Sequence, residues 1–406
     1  MPDPLPQLTL SAARDLIARR CFEAAPASQN GVPASHGRVG LECEWHVRPL
    51  LAPTDDVPLD ELRSWLTPLA PLPGGSSITY EPGGQLELSS APCTGVGAAI
   101  KSMAADRDLV TGLLEEHAVE LVATGVDPLR APRRQLMAPR YDAMEAFFDL
   151  DGPEGRMMMS RTASVQVNLD AGASEEMAEQ RWRLVHRIGP PLAAAFANSP
   201  VALGKPTGWR STRLANWFAM DATRTAPAYR PGVGPCESWV EYALAARVML
   251  IRTGGDCYQP IRDGMTLADW LERGHPAGWP TEDDLDYHLT TLFPPIRPRG
   301  WLELRFLDAL PDPWWRVAAA VTTACLDDEV CAGAAEQATE DIGHLWCEAS
   351  SLGLTHPALA QAAESCFEVV LENVRHLGLD ATTEAACADY FDRYVARGRC
   401  PADDWM

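Results

Sequence analysis

Between residues 39 and 47, Val39, Leu41, Cys43, Trp45 and Val47 alternate with Gly40, Glu42, Glu44 and His46. A period of two predicts a strand with one apolar face and one acidic face. The same reasoning predicts shorter strands around residues 78–80, 85–89, 121–124, 162–170 and 301–306. A longer period predicts an amphipathic helix over 11–22 and helices over 97–117 and 174–197, the last opened by Ser174 with Glu175 and Glu176 in its first turn. Residues 24–37 are rich in Ala, Pro, Ser and Gly and read as a loop. From about 313 to 400 the chain is Ala-rich and reads as a helical region. Strands and helices follow no βαβ rhythm and no repeat, so the expected fold is α+β on an antiparallel sheet. No linker is long enough to divide the chain, and one domain over 1–406 is expected.

Composition narrows the classes of function. The 406 residues are 46% hydrophobic and 22% charged, which suits a packed core rather than a disordered chain. The formal charge of −22 would repel a phosphate backbone, so nucleic acid is not an expected partner. Only Lys101 and Lys205 are lysines; every other basic residue is arginine. The eleven cysteines contain no C-x-x-C pair, which argues against a zinc knuckle or a dithiol redox centre. No apolar run approaches a membrane span and the N-terminus has no signal-peptide pattern, so a cytoplasmic protein with mostly core cysteines is expected.

The polar faces of the strands carry the candidate chemistry. Glu42 and Glu44 lie on one side of one strand, about 6.6 Å apart. A lone E-x-E pair is usually a solvated face, but here the pattern recurs. Beyond a Pro-Gly-Gly turn that follows Glu81, Gln85 and Glu87 face away from Leu86 and Leu88. Near the other end of the chain, Glu303 and Arg305 face away from Leu302, Leu304 and Phe306. Thr162, Ser164, Gln166, Asn168 and Asp170 form another polar face, able to offer oxygen ligands or hydrogen bonds to a substrate. On one sheet, these faces would make a carboxylate-lined surface that needs cations. Hard Mg²⁺ suits such oxygen ligands and commonly bridges them to nucleotide phosphates, with Arg305 meeting a transferred phosphoryl group.

No Walker lysine and no G-x-S-x-G elbow is present, so phosphate contacts would fall to arginine. Arg210 and Arg213, beside Gly208, Ser211 and Thr212, are candidates for anionic substrates. Arg130, Arg133, Arg134 and Arg140 form a second cluster in a stretch broken by Pro132 and Pro139, and read either as solubilising surface or as an anion-receiving patch.

Taken in order, the segments 40–44, 80–89, 161–170, 209–213, 288–294 and 301–305 resemble the glutamate-cysteine ligase family, in particular its plant-like branch with the bacterial enzymes of ergothioneine biosynthesis. The resemblance implies a glutamine-synthetase-like fold, a curved and mostly antiparallel sheet with helices outside. It implies ATP-dependent joining of the L-glutamate γ-carboxylate to L-cysteine through a γ-glutamyl phosphate, with two or three Mg²⁺ ions. Glu44, Glu81 and Glu87 would hold one ion, and Glu42, Gln166 and Glu303 another. Some members of the family carry His where Gln166 stands. Arg305 and Glu303 would be catalytic, while Arg210, Arg213, Thr162, Asn168 and Gln85 would contact substrate or nucleotide. A monomer or weak dimer is expected. A related ligase with another amine acceptor, a γ-glutamylcysteine supply for glutathione, and a catalytically silent binding protein are the alternatives. The lysine-poor composition suits a GC-rich genome and favours the ergothioneine branch.

Overall fold

The computed structural model describes residues 7–22 and 37–405, so the loop expected over 24–37 lies outside the described residues except for Gly37. Helix α1 (Leu10–Phe22) precedes the 12-residue strand β1 (Arg38–Pro49), the strand that the clearest alternation predicts. Next come β2 (Ser77–Tyr80), β3 (Leu86–Ser89), β4 (Cys93–Thr94), α2 (Val96–Glu116) and β5 (Val119–Val122). Then follow α3 (Pro139–Phe148), α4 (Glu154–Arg161), β6 (Ser164–Asp170), α5 (Glu175–Ala195) and α6 (Thr212–Ala219). The sheet is completed by β7 (Ile296–Pro298) and β8 (Trp301–Asp308), and α7 (Trp314–Asp327) begins the helical region expected at about 313.

These eight strands form one antiparallel sheet ordered β7-β8-β6-β1-β3-β2, with β4 and β5 also paired to β1. β1 is paired along both edges, which satisfies its backbone N–H and C=O groups inside the fold, and its apolar face is buried: Val39 and Leu41 have no exposed surface. Leu86, Leu88, Val167, Leu169 and Leu304 continue that face, and helices α2 and α7 pack over it. The core built this way is continuous from Leu8 to Val395. Seven of the eleven cysteines are buried, Cys43 among them, in keeping with their reading as small core residues. Among the described residues no helix is long and apolar enough to cross a membrane.

Two departures from the sequence reading matter for the site. First, α3 and α6 were not legible: Pro139, taken as a break, is the first residue of α3, where its missing N–H costs nothing. Second, β8 does not alternate throughout. Leu304 stands opposite Val167 and Leu307 opposite Val165, so Arg305 and Phe306 together face the single residue Gln166. This β-bulge returns Leu307 to the apolar face and turns Asp308 to the polar face beside Ser164. Strict alternation would have placed those two side chains the other way round.

Candidate active site

The register of the sheet gathers the polar faces. Glu44 lies opposite Glu87, Glu42 opposite Gln166, and Glu303 opposite Asn168. Glu81 joins them from the turn between β2 and β3, closed by Glu81 N–H donating to the Gln85 carbonyl (2.9 Å) and Gly84 N–H to the Glu81 carbonyl (2.8 Å). Two glycines are required there. Gly84 has φ +86°, and a Cβ on Gly83 would sit 2.1 Å from the Ser160 carbonyl oxygen of α4. The result is a cleft of about 300 Å³ with a carboxylate and guanidinium floor.

One corner of that floor is acidic. Carboxylate oxygens of Glu44, Glu81 and Glu87 all lie within 4.8 Å of one another. Glu44 accepts from the Ser164 amide (2.9 Å) and from Gln166 Nε2 (2.9 Å), and Glu87 accepts from Thr79 and Ser89 hydroxyls. Burial, then the charges of Glu44 and Glu87, push the Glu81 carboxyl up to about 8. Burial and Glu87 likewise raise Glu44. Burial, followed by Glu303 and Glu87, raises Glu42 to about 7. Three clustered oxygen donors that oppose their own ionisation match the donor set a hard divalent cation selects.

The other corner is arranged differently. Arg297 of β7 clamps Glu303 with Nε to Oε2 (2.7 Å) and Nη2 to Oε1 (2.9 Å). Arg305 Nη1 donates to Glu303 Oε1 and, at 2.8 Å, to Gln166 Oε1. Burial alone would raise the Glu303 carboxyl, but Arg297 and Arg305 outweigh it and hold it at about 2. The cation that joins Gln166 to Glu303 in this structure is therefore a guanidinium, with Glu42 tied alongside through Asn168 Nδ2 (3.2 Å).

Among the remaining expected residues, Arg213 lines the cleft from α6. Its guanidinium donates to the Arg305 carbonyl (2.8 Å) within the bulge, lies 3.9 Å from Asp308, and sits over the Trp217 ring. Arg210 is placed elsewhere, with Nε 2.8 Å from Asp403, and is not among the residues lining the cleft. Thr162 and Gln85 do line it, yet their polar groups are largely engaged: Thr162 Oγ1 donates to the Met158 carbonyl, while Gln85 accepts from Gly83 N–H and donates to the Thr162 carbonyl. Asn168 is not among the residues lining the cleft; it holds Glu42 and accepts from Trp301 Nε1 (2.9 Å). Of the 130–140 arginines, Arg130 is buried on Asp127 and Asp56, Arg134 pairs with Asp142 and Glu145, and Arg140 alone reaches the cleft.

Sequence reasoning missed Arg297, Asp308 and the apolar wall. That wall is a separate hydrophobic cluster in which Met158, Met159, Trp217 and Met249 are joined by Tyr141 and Phe293. Arg297 precedes Pro298 in a three-residue strand, too short for any periodicity to reveal. Asp308 was legible only through the bulge.

Comparison with known proteins agrees with this geometry. The chain is 43% identical over 376 residues to the glutamate–cysteine ligase EgtA of Mycolicibacterium smegmatis, covering 89% of this chain and 88% of that one. It is 39% identical over 413 residues to the EgtA ligase of Mycobacterium tuberculosis, covering 100% of this chain and 91% of the other. The chloroplastic glutamate–cysteine ligase of Nicotiana tabacum is 33% identical over 269 residues, 63% of this chain and 50% of that protein. Among solved structures, a bifunctional glutathione synthetase from Pasteurella multocida shares the fold, with a TM-score of 0.52 at 13% identity. That match covers 91% of this chain but only 49% of the longer protein. Since residues 38–406 match the model of glutamate-cysteine ligase family 2, the chain belongs to that family.

Proposed function

We propose that this protein joins the γ-carboxylate of L-glutamate to the amine of L-cysteine at the expense of ATP, giving γ-glutamylcysteine, ADP and phosphate, and that the product supplies ergothioneine biosynthesis. The whole chain acts as one catalytic domain. The observation that carries this reading is the convergence of Glu44, Glu81 and Glu87 across the cleft from Arg305 and Arg213, in a chain of this family.

A carboxylate is a poor acyl donor, so the γ-carboxylate first takes the terminal phosphoryl group of ATP. Glu44, Glu81 and Glu87 would hold Mg²⁺, and the ion would supply positive charge against the carboxylates and the phosphates of ATP. Glu42, Gln166 and Glu303 are proposed as the residues that would hold a second ion. Arg305, partly buried beside Glu303 and lining the cleft, is the group that meets the transferred phosphoryl, and Arg297 keeps Glu303 ionised behind it. Arg213 receives a carboxylate or phosphate, its position fixed by the bulge carbonyl. The cysteine amine then attacks the acyl carbon and phosphate departs. The Met and aromatic wall excludes the water that would hydrolyse the acyl phosphate. No cysteine of the chain takes part.

The test is to incubate purified protein with ATP, Mg²⁺ and glutamate, offering cysteine against a panel of amines while following ADP and product mass. Preferential γ-glutamylcysteine formation is expected. ADP release without preference for cysteine would instead identify a ligase for another amine.

A further inference from the structure

A second cleft, about 740 Å³, opens beside the neighbouring face of α6, where Phe218 rather than Trp217 lines it. Its wall is aromatic. Phe218 and Trp346 lie with ring centroids 6.3 Å apart, and His186 of α5 stacks on Tyr229 at 5.4 Å. His186 Nδ1 is bonded to the Trp182 carbonyl (2.8 Å), which makes Nε2 an acceptor. Both His186 Nε2 and Trp346 Nε1 are buried without a hydrogen-bond partner among the described residues. These two atoms lie just behind the cleft surface, so the face the cleft presents to a ligand is the rings themselves.

The charges around this cleft are also uncommitted. Most guanidinium groups of the chain are ion-paired, but Arg187 in the wall has no ion partner among the described residues. Exposed Glu340 and Asp341 line the same cleft, likewise without ion partners among the described residues. One cation, two anions and a set of rings around a single cavity complement a molecule with both charges and a flat body. We propose that this cleft is a second ligand site for a zwitterionic amino acid with a planar side chain. Arg187 takes its carboxylate, Glu340 or Asp341 its ammonium, and Phe218, Tyr229 and Trp346 its side chain.

Occupancy reaches the catalytic cleft through shared elements. Phe218 follows Trp217 on α6, and Thr225 in the second cleft follows Arg224. Arg224 donates to the Thr291 carbonyl (2.7 Å) and accepts at its own carbonyl from Phe293 N–H (2.8 Å). Thr291 and Phe293 line the catalytic cleft.

The experiment is calorimetric titration of the full chain, without ATP, with L-phenylalanine, L-tryptophan and L-histidine. Phenethylamine and 3-phenylpropionate serve as half-charged controls. At least one zwitterion is expected to bind, with both controls about tenfold weaker or worse. Arg187→Met, and separately the double variant Glu340→Gln/Asp341→Asn, should each weaken binding about tenfold. Ligase turnover without the probe should be unchanged in both variants, so a silent cleft and a failed ligase assay are separate results. In the unaltered protein the bound amino acid should change the KM for glutamate, and in Arg187→Met it should not. Absence of binding by all three zwitterions at about 10 mM, or binding unchanged in both variants, would overturn the site. An unchanged KM with the site filled would overturn its coupling to catalysis.

Discussion

Glu81 is the residue on which the acidic corner of the catalytic cleft turns, because it arrives from a turn rather than a strand and closes the group with Glu44 and Glu87. Glu81→Gln keeps its shape and removes the carboxyl group that would ionise to hold the metal. The half-saturating Mg²⁺ concentration for turnover should rise at least about tenfold, with an unaltered circular dichroism spectrum. Unchanged Mg²⁺ dependence would remove Glu81 from the ligand set. A second residue-scale prediction concerns acid stability. His186 and His288 are buried, and burial lowers them to about 4 and about 3 respectively. The unfolded chain takes up these protons near the ordinary value of 6.5, whereas the folded chain does not. Their contribution to stability is present above pH 6.5 and is lost as pH falls towards about 4. His288→Gln should flatten the fall of the melting temperature across that range; an equally steep fall would show that other groups control it.

Among the elements, β8 shows how one extra residue changes chemistry. The bulge at Arg305 and Phe306 puts Asp308 on the polar face, where it accepts from the Asn198 amide (2.9 Å) and from Ser199 and Ser211 hydroxyls while facing Arg213. Arg213 in turn donates to carbonyls of the bulge itself. Asp308→Ala would leave a buried guanidinium without its counter-charge, at a cost of about 3 kcal/mol. Urea unfolding should show that loss together with a raised KM for glutamate or ATP. A stability within about 0.5 kcal/mol of the unaltered protein would mean that the bulge carbonyls alone hold Arg213.

For the whole molecule, the arginines make the sharpest test, since Arg210 and Arg213 stand three residues apart yet meet different surroundings. Arg213→Ala should abolish turnover. Arg210→Ala should leave every KM within about twofold and lower stability by roughly 1 kcal/mol through the lost Asp403 pair. A raised KM in Arg210→Ala would restore it to the substrate site. The chain by itself determined the longer strands up to the bulge at Arg305 and Phe306, because a period of two fixes which side chains share a face whatever packs beyond them. It thereby determined Glu42, Glu44, Glu87, Gln166, Glu303 and Arg305 as residues of polar strand faces, and the ordered segments determined the family. Tertiary structure decided the rest. Partnership depends on which strands pair and in what register, so only the folded sheet could set Arg297 on Glu303, turn Asp308 inward and send Arg210 away from the cleft. The apolar wall came from three short helices together with Met249 and Phe293 of loops, segments far apart in the chain, and it exists because the fold packs them together.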